Sequence, residues 1–148
     1  MAQFRFRLAT LLRLRESARD ERRARLAEAY AAERKLLSRR DEILREQAEI
    51  KRNHRGPGVG PVNVDQLLTV DRYDVLLKAE LQVIDRQQTL LAEEIEKRRQ
   101  ALVAADREVR LLEKFREKLA QRHRQHEATQ DMKQLDELAG RRWREADD

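Results

Sequence analysis

The chain has 148 residues, 41% of them charged and 4% aromatic, with four glycines, two prolines and no cysteine. Such a makeup, rich in Ala, Glu, Leu, Arg and Lys, marks long helices and excludes a thick globular core, which needs more aromatic and β-branched side chains. The missing cysteine excludes disulfides and thiolate metal sites, and the formal net charge of +5 makes the chain moderately basic.

The N-terminal stretch "MAQFRFRLATLLRLRESA" has early arginines, but Arg13 and Arg15 interrupt its apolar run. A secretory signal needs that run unbroken, and a transit peptide would not pass directly into acidic residues as this stretch does after Glu16. No apolar run reaches the roughly 18 residues that a membrane span needs. The expectation is a cytoplasmic protein.

From about Leu8 to Arg52 there is neither Gly nor Pro, and apolar residues recur in pairs seven apart: Ala29/Tyr30, Leu36/Leu37, Ile43/Leu44, then Ile50. That repeat predicts a first helix over about 4–52 with one apolar stripe. Glu33, Arg40 and Gln47 take the alternate seam positions, so the seam is only half apolar. Residues 1–52 carry fifteen Lys/Arg against nine Asp/Glu, whereas 65–148 carry seventeen against nineteen. The positive field therefore sits on the first helix, where it would favour an acidic protein, an anionic lipid or a nucleic acid, or would simply be a solvated face. The cluster Arg13, Arg15, Arg19, Arg22, Arg23 and Arg25 is interleaved with Glu16, Asp20 and Glu21. It lacks aromatic stacking partners and any DNA-binding motif, so no nucleic-acid partner is expected.

Residues 53–64, "NHRGPGVGPVNV", hold three of the four glycines and both prolines. A phosphate-binding loop needs a Lys-Ser/Thr after its glycines and a strand before them, and neither is present. Pro57 and Pro61 cannot sit inside a helix, so the stretch reads as a reversal between two helices. Asn63 or Asp65 is placed to cap the second, and His54 and Arg55 lie near the tip of the hairpin.

The second helix is expected over about 65–143. Alternating steps of four and three give Leu77, Leu81, Ile84, Gln88, Leu91, Ile95, Arg98, Leu102, Ala105, Val109, Leu112, Arg116 and Leu119, ten of the thirteen apolar. A 3.5-residue repeat sustained this far predicts left-handed supercoiling. Glu93/Lys97, Glu94/Arg98, Asp106/Arg110 and Glu137/Arg141 have i,i+4 spacing, each adding only about 0.2–0.5 kcal/mol. After Leu119 the register meets His123 and His126, then resumes out of phase at Leu135 and Leu138. The expected fold is all-α: a single coiled-coil domain over 1–148, built as a long antiparallel two-helix hairpin with a breaker loop at 53–64. Its second helix is the longer, roughly 110–120 Å against 65–70 Å at 1.5 Å per residue. Zipped back from the loop, Phe4 falls near residue 113, leaving about 30 residues with Leu135, Leu138 and Trp143 as a C-terminal overhang. An exposed apolar stripe there is either a partner surface or a frayed tail.

No catalytic constellation emerges. His123 and His126 can share a metal at i,i+3, but a catalytic zinc needs a third ligand and a shaped cavity, which a two-helix coil does not enclose. No pocket is expected to tune a nucleophile or exclude water. The chain reads as non-enzymatic, without catalytic residues, metal or cofactor.

"FRFRLATLLRLRE" (Phe4 to Glu16), "LEKFREK" (Leu112 to Lys118) and "DMKQLDELAGRR" (Asp131 to Arg142) together resemble the flagellar export protein FliJ family, in order and spacing over nearly the whole chain. One departure is that Asp131 and Met132 stand where the family often has Glu-Gln. The resemblance implies an antiparallel coiled-coil stalk of the flagellar type III export apparatus, like the γ subunit of a rotary ATPase. Such a stalk sits in the hexameric export ATPase ring (FliI-like) and stimulates it, contacts the export gate protein (FlhA-like) and handles export chaperones. It serves motility from the cytoplasm, peripherally associated with the inner membrane at the flagellar base. On that reading the ring contacts are Leu112, Phe115, Arg116, Lys118, Leu119, Arg122, Arg124, Leu135, Leu138 and Trp143. Ile43, Ile50, Tyr73 and Leu77 would face the gate, with seam packing the competing role for Leu77 and Leu112. A stalk of an injectisome-type secretion system, a generic coiled-coil scaffold and a nucleic-acid-associated protein are the alternatives.

Overall fold

The computed structural model describes residues 3–54, 60 and 63–146, and their secondary structure is two helices: α1, Ala9–His54, and α2, Val64–Ala146. Residues that lose little rotamer freedom in a helix dominate both, and α2 carries a single interior glycine, Gly140. At the start of α2 the Asn63 side chain accepts the backbone N–H of Asp65 at 3.1 Å. Asn63 is therefore the N-cap, and Asp65 supplies negative charge in the first turn, where the helix dipole favours it. Arg55–Val59, Pro61 and Val62 lie outside the described residues, and with them the expected reversal at Gly56, Pro57, Gly58 and Pro61 and the expected place of Arg55.

The chain divides into two compact units, Glu21–Leu102 and Met1–Asp20 with Val103–Asp148. In the Glu21–Leu102 unit, contacts pair Arg25 with Arg98, Arg39 with Glu80, and Glu46 with Tyr73, so one helix descends as the other ascends. The two helices are antiparallel. Ile43, Leu77 and Ile84 form the buried centre, with Leu36, Ile50 and Leu81 packed against it. Of each apolar pair on α1 the first member turns inward: Ala29 and Ile43 are buried, while Tyr30, Leu37 and Leu44 are exposed. In a heptad the first member sits on the seam and the second one position round the helix, on its flank.

The other unit pairs the helices in the same sense: Arg15 meets Glu108 at 2.9 Å and Arg19 approaches Asp106 at 4.0 Å. Leu12 and Val109 are its buried residues. Among the thirteen expected seam residues of α2, only Arg116 is exposed, so the 3.5-residue spacing located the seam correctly. Two of the expected i,i+4 pairs, Glu94–Arg98 and Asp106–Arg110, close at 2.8 Å.

The N-terminus corrects two expectations. α1 begins at Ala9 rather than near residue 4, and Phe4, Phe6 and Leu8 are half-buried while Arg5 and Arg7 are exposed. Residues 3–6 lie outside any helix and Arg7–Leu8 form a turn, closed by the Ala9 N–H on the Phe6 carbonyl at 3.2 Å, so the segment reaches farther per residue than the roughly 1.5 Å of a helix. Phe4 therefore reaches His123, ring centroids 5.7 Å apart, instead of stopping near residue 113. The uncovered part of α2 is correspondingly shorter: over 124–146 every residue except Glu127 and Gly140 is exposed.

Candidate interaction surfaces

In the unit that contains both termini, the side chains after Val109 sort by their angle around α2. Leu112, Leu119 and His123 lie on the seam, half-buried. Phe115, Lys118 and Arg122 fall on one flank at i, i+3 and i+7, together with Leu111, which is 68% exposed. Phe115 packs edge-on against Phe6, centroids 6.2 Å apart, and still leaves 45% of its surface to solvent. Arg116 and Arg124 lie on the other flank, eight residues apart. None of Arg116, Lys118, Arg122 and Arg124 closes an ion pair among the described residues, and all four are exposed. The expected ring-binding set thus splits: Leu112 and Leu119 hold the seam, while Phe115 and the four cations face outward.

The histidines have separate partners. His123 lies 3.3 Å from Glu127 and against the Phe4 ring, whereas His126 contacts Gln130 at 3.0 Å. The arginine cluster of α1 is partly engaged as well, Arg15 by Glu108, Arg19 by Asp20 and Asp106, and Arg25 by Glu21. Guanidinium groups so neutralised are poorly placed to gather phosphates.

Beyond His123, α2 carries a second apolar stripe: Ala128, Met132, Leu135, Ala139, Trp143 and Ala146, all exposed, at helical steps of four and three. Leu138 lies at its edge. At about 100° per residue, the sixteen residues from Leu119 to Leu135 turn this stripe roughly 160° away from the seam. It is a separate face and does not prolong the seam. Leu135, Leu138, Ala139, Arg141, Arg142 and Trp143 line a shallow depression on it.

In the Glu21–Leu102 unit, Ile43 and Leu77 are 0% and 3% exposed. They shape the hairpin and offer no surface to a partner. Ile50 packs beside them, half-buried, which leaves Tyr73 as the outward-facing member of the expected gate-binding set. Tyr73 donates its hydroxyl to Glu46 at 2.6 Å. Arg39 completes a network between the helices, donating to both oxygens of Glu80 at 2.7 and 3.0 Å and to Glu42 at 3.1 Å. The bond to Arg39 holds the Glu80 carboxyl below its ordinary range, and the bond to Glu46 pushes the Tyr73 hydroxyl up. Glu80 and Glu42 together keep Arg39 charged.

Two features escaped the sequence reading. The first is this network, although Arg39, Glu46, Tyr73 and Glu80 all occupy the heptad position flanking the seam on the same side, which is a readable signal. The second is a row of exposed apolar residues at seven-residue spacing on α2, Leu76, Val83 and Leu90.

A family model described as "Flagellar FliJ protein" matches residues 4–147. Comparison with curated proteins and with solved structures gives no significant match.

Proposed function

The chain belongs to the flagellar FliJ protein family, and from that premise we propose that it is a non-enzymatic stalk of the flagellar type III export apparatus, binding a hexameric export ATPase of the FliI type and stimulating it. The observation that carries this reading is the family match over 4–147. The geometry supports it by leaving a long stretch of α2 uncovered, with apolar and cationic side chains outward. A rod without a catalytic site acts on a ring by contacting some of its subunit conformations better than others.

The ring-binding surface on this proposal is Phe115, Lys118 and Arg122 with Arg116 and Arg124, continued by Leu135, Leu138 and Trp143. Contact with an export gate protein of the FlhA type falls to Tyr73 and the exposed row Leu76, Val83 and Leu90, since Ile43 and Leu77 are spent on the seam. Handling of export chaperones, and peripheral association with the inner membrane at the flagellar base from the cytoplasmic side, complete the proposal. The test is direct. Mixed with the purified cognate ATPase, the chain raises both hexamer formation and ATP hydrolysis, and a Phe115→Ala, Arg122→Glu variant does so less. Unchanged oligomerisation and hydrolysis with the unmodified chain overturn the reading.

A further inference from the structure

The second stripe of α2 has the features of a surface that fits itself. Read against its own reverse, the order Ala128, Met132, Leu135, Ala139, Trp143, Ala146 lays the stripe onto itself, apolar residue on apolar residue. Leu135 of one copy meets Ala139 of the other, Trp143 meets Met132, and Ala128 meets Ala146. The Leu135–Ala139 layers set a large side chain on a small one, and in the Trp143–Met132 layers a Met thioether at an indole edge is a favourable contact.

The charges beside the stripe agree with the same alignment. Asp131 and Arg142 lie on one flank, so in an antiparallel pair Asp131 of each copy faces Arg142 of the other. Between these two contacts Leu138 meets its own symmetry mate. The flank-to-flank geometry is the one that already joins Arg39 to Glu80 between α1 and α2, at 2.7 Å. Asp136, on the opposite flank near the two-fold axis, faces its own copy and opposes the pairing. The side chains on this face are open to do so: Met132, Leu135, Leu138 and Trp143 are 67%, 65%, 59% and 79% exposed.

We infer that residues 128–146 form a self-association site, at which a second copy of this chain docks antiparallel through Met132, Leu135, Leu138 and Trp143 with Asp131–Arg142 pairs across the interface. A C2 contact of this kind is isologous and closes at a dimer. The interface spans under three heptads, and the inference expects a dissociation constant on the order of tens of micromolar, the range of weak and transient contacts. The inference needs only this chain and does not depend on the export-ATPase reading. Where both hold, dimer and ring compete for the same face.

Sedimentation equilibrium of the full chain from about 1 to 300 µM brackets that range. It is read alongside the fluorescence of Trp143, the single tryptophan. The expected result is a monomer–dimer transition with a blue shift of Trp143 over the same concentrations. Arg142→Glu weakens it about tenfold, and adding Asp131→Arg restores it to within about threefold. Asp136→Asn tightens it. These residues are exposed, so helicity by circular dichroism stays unchanged and separates loss of pairing from loss of fold. Because the chain lacks cysteine, Ala128→Cys and Ala146→Cys chains cross-link when mixed and not separately. A monomer throughout the range overturns the inference. So does cross-linking of Ala128→Cys chains alone, which marks a parallel pair. A Trp143 shift that appears only on anionic vesicles (phosphatidylglycerol-containing) and is independent of protein concentration also overturns it, and assigns the face to a lipid surface.

Discussion

Two stretches of α2 are written in the same alphabet and reach opposite states. Along 77–102 the seam residues face α1, and Leu77 and Ile84 keep 3% and 4% of their surface. Along 128–146 Met132, Leu135, Leu138 and Trp143 keep between 59% and 79%. Helix propensity does not separate the two stretches, since Leu, Ala, Glu, Gln and Arg fill both. A covered stripe contributes stability through area removed from water; an exposed one contributes nothing to the isolated chain and keeps that area in reserve for a partner. The second stripe is also turned away from the seam at Leu112 and Leu119 in its own unit. Lengthening the N-terminal partner along the seam would leave it bare.

The sharpest way to break this comparison is to cut one residue from each stripe. Ile43 is fully buried in the centre with Leu77 and Ile84, and Ile43→Ala is expected to cost about 2–5 kcal/mol in urea denaturation, from lost transfer energy and the cavity left behind. Leu135→Ala, measured in dilute chain where no second copy is bound, is expected to shift stability by less than about 0.5 kcal/mol. Equal losses at the two sites would mean that the second stripe is covered within the single chain.

A smaller effect tests the helix under the second stripe. Gly140 sits inside α2, and a Cβ built there meets nothing within 4 Å. Gly140→Ala is therefore expected to strengthen the local helix by about 0.8–1 kcal/mol, with no steric cost. Amide exchange over 124–146 would slow severalfold while exchange around Ile43 stays as it was. Were both regions to slow together, the stretch would unfold in concert with the packed seam.

How much of this was legible depends on which physical signal each residue carries. The seam of α2 was readable to the residue because heptad spacing states it directly, from Leu77 through Leu119. The inward member of Leu36/Leu37 and Ile43/Leu44 was not, since adjacent apolar residues satisfy the repeat equally until a partner helix selects one. The non-helical Phe4–Leu8 segment was readable in principle from the alternation Phe-Arg-Phe-Arg-Leu. Its absorption into the helix misplaced the end of the paired region. Of the candidate surface, the exposed stripe at Leu135, Leu138 and Trp143 was visible as a change of phase. The burial of Leu112 and Leu119 against the exposure of Phe115 required the angle of each residue around α2, which the heptad gives. The Arg39 network depends on which flanks meet across the hairpin, and only a known helix sense supplies that.

The mildest perturbation is pH, and it sharpens the comparison because the shifted groups lie in the Glu21–Leu102 unit. Glu80, bonded to Arg39, titrates below the ordinary carboxylate value, as do Glu94 beside Arg98 and Glu96 beside Arg99. A folded value below the unfolded one means that these pairs contribute fully above the unfolded carboxylate range, about pH 4–5, and are lost as pH falls through the folded values. Tyr73 works in the other direction. Its hydroxyl is raised above 10 by the bond to Glu46, so its contribution is complete below pH 10 and disappears as pH rises through the folded value. Thermal unfolding of Glu80→Gln is expected to lose part of the acid-side slope and keep the alkaline one, while Tyr73→Phe does the reverse. These side chains are exposed or half-buried at the surface, so both changes are small and shrink in salt. Swapped slopes, or slopes indifferent to both substitutions, would show that the polar network joining α1 to α2 does not persist in solution, and that the apolar seam alone sets the pairing.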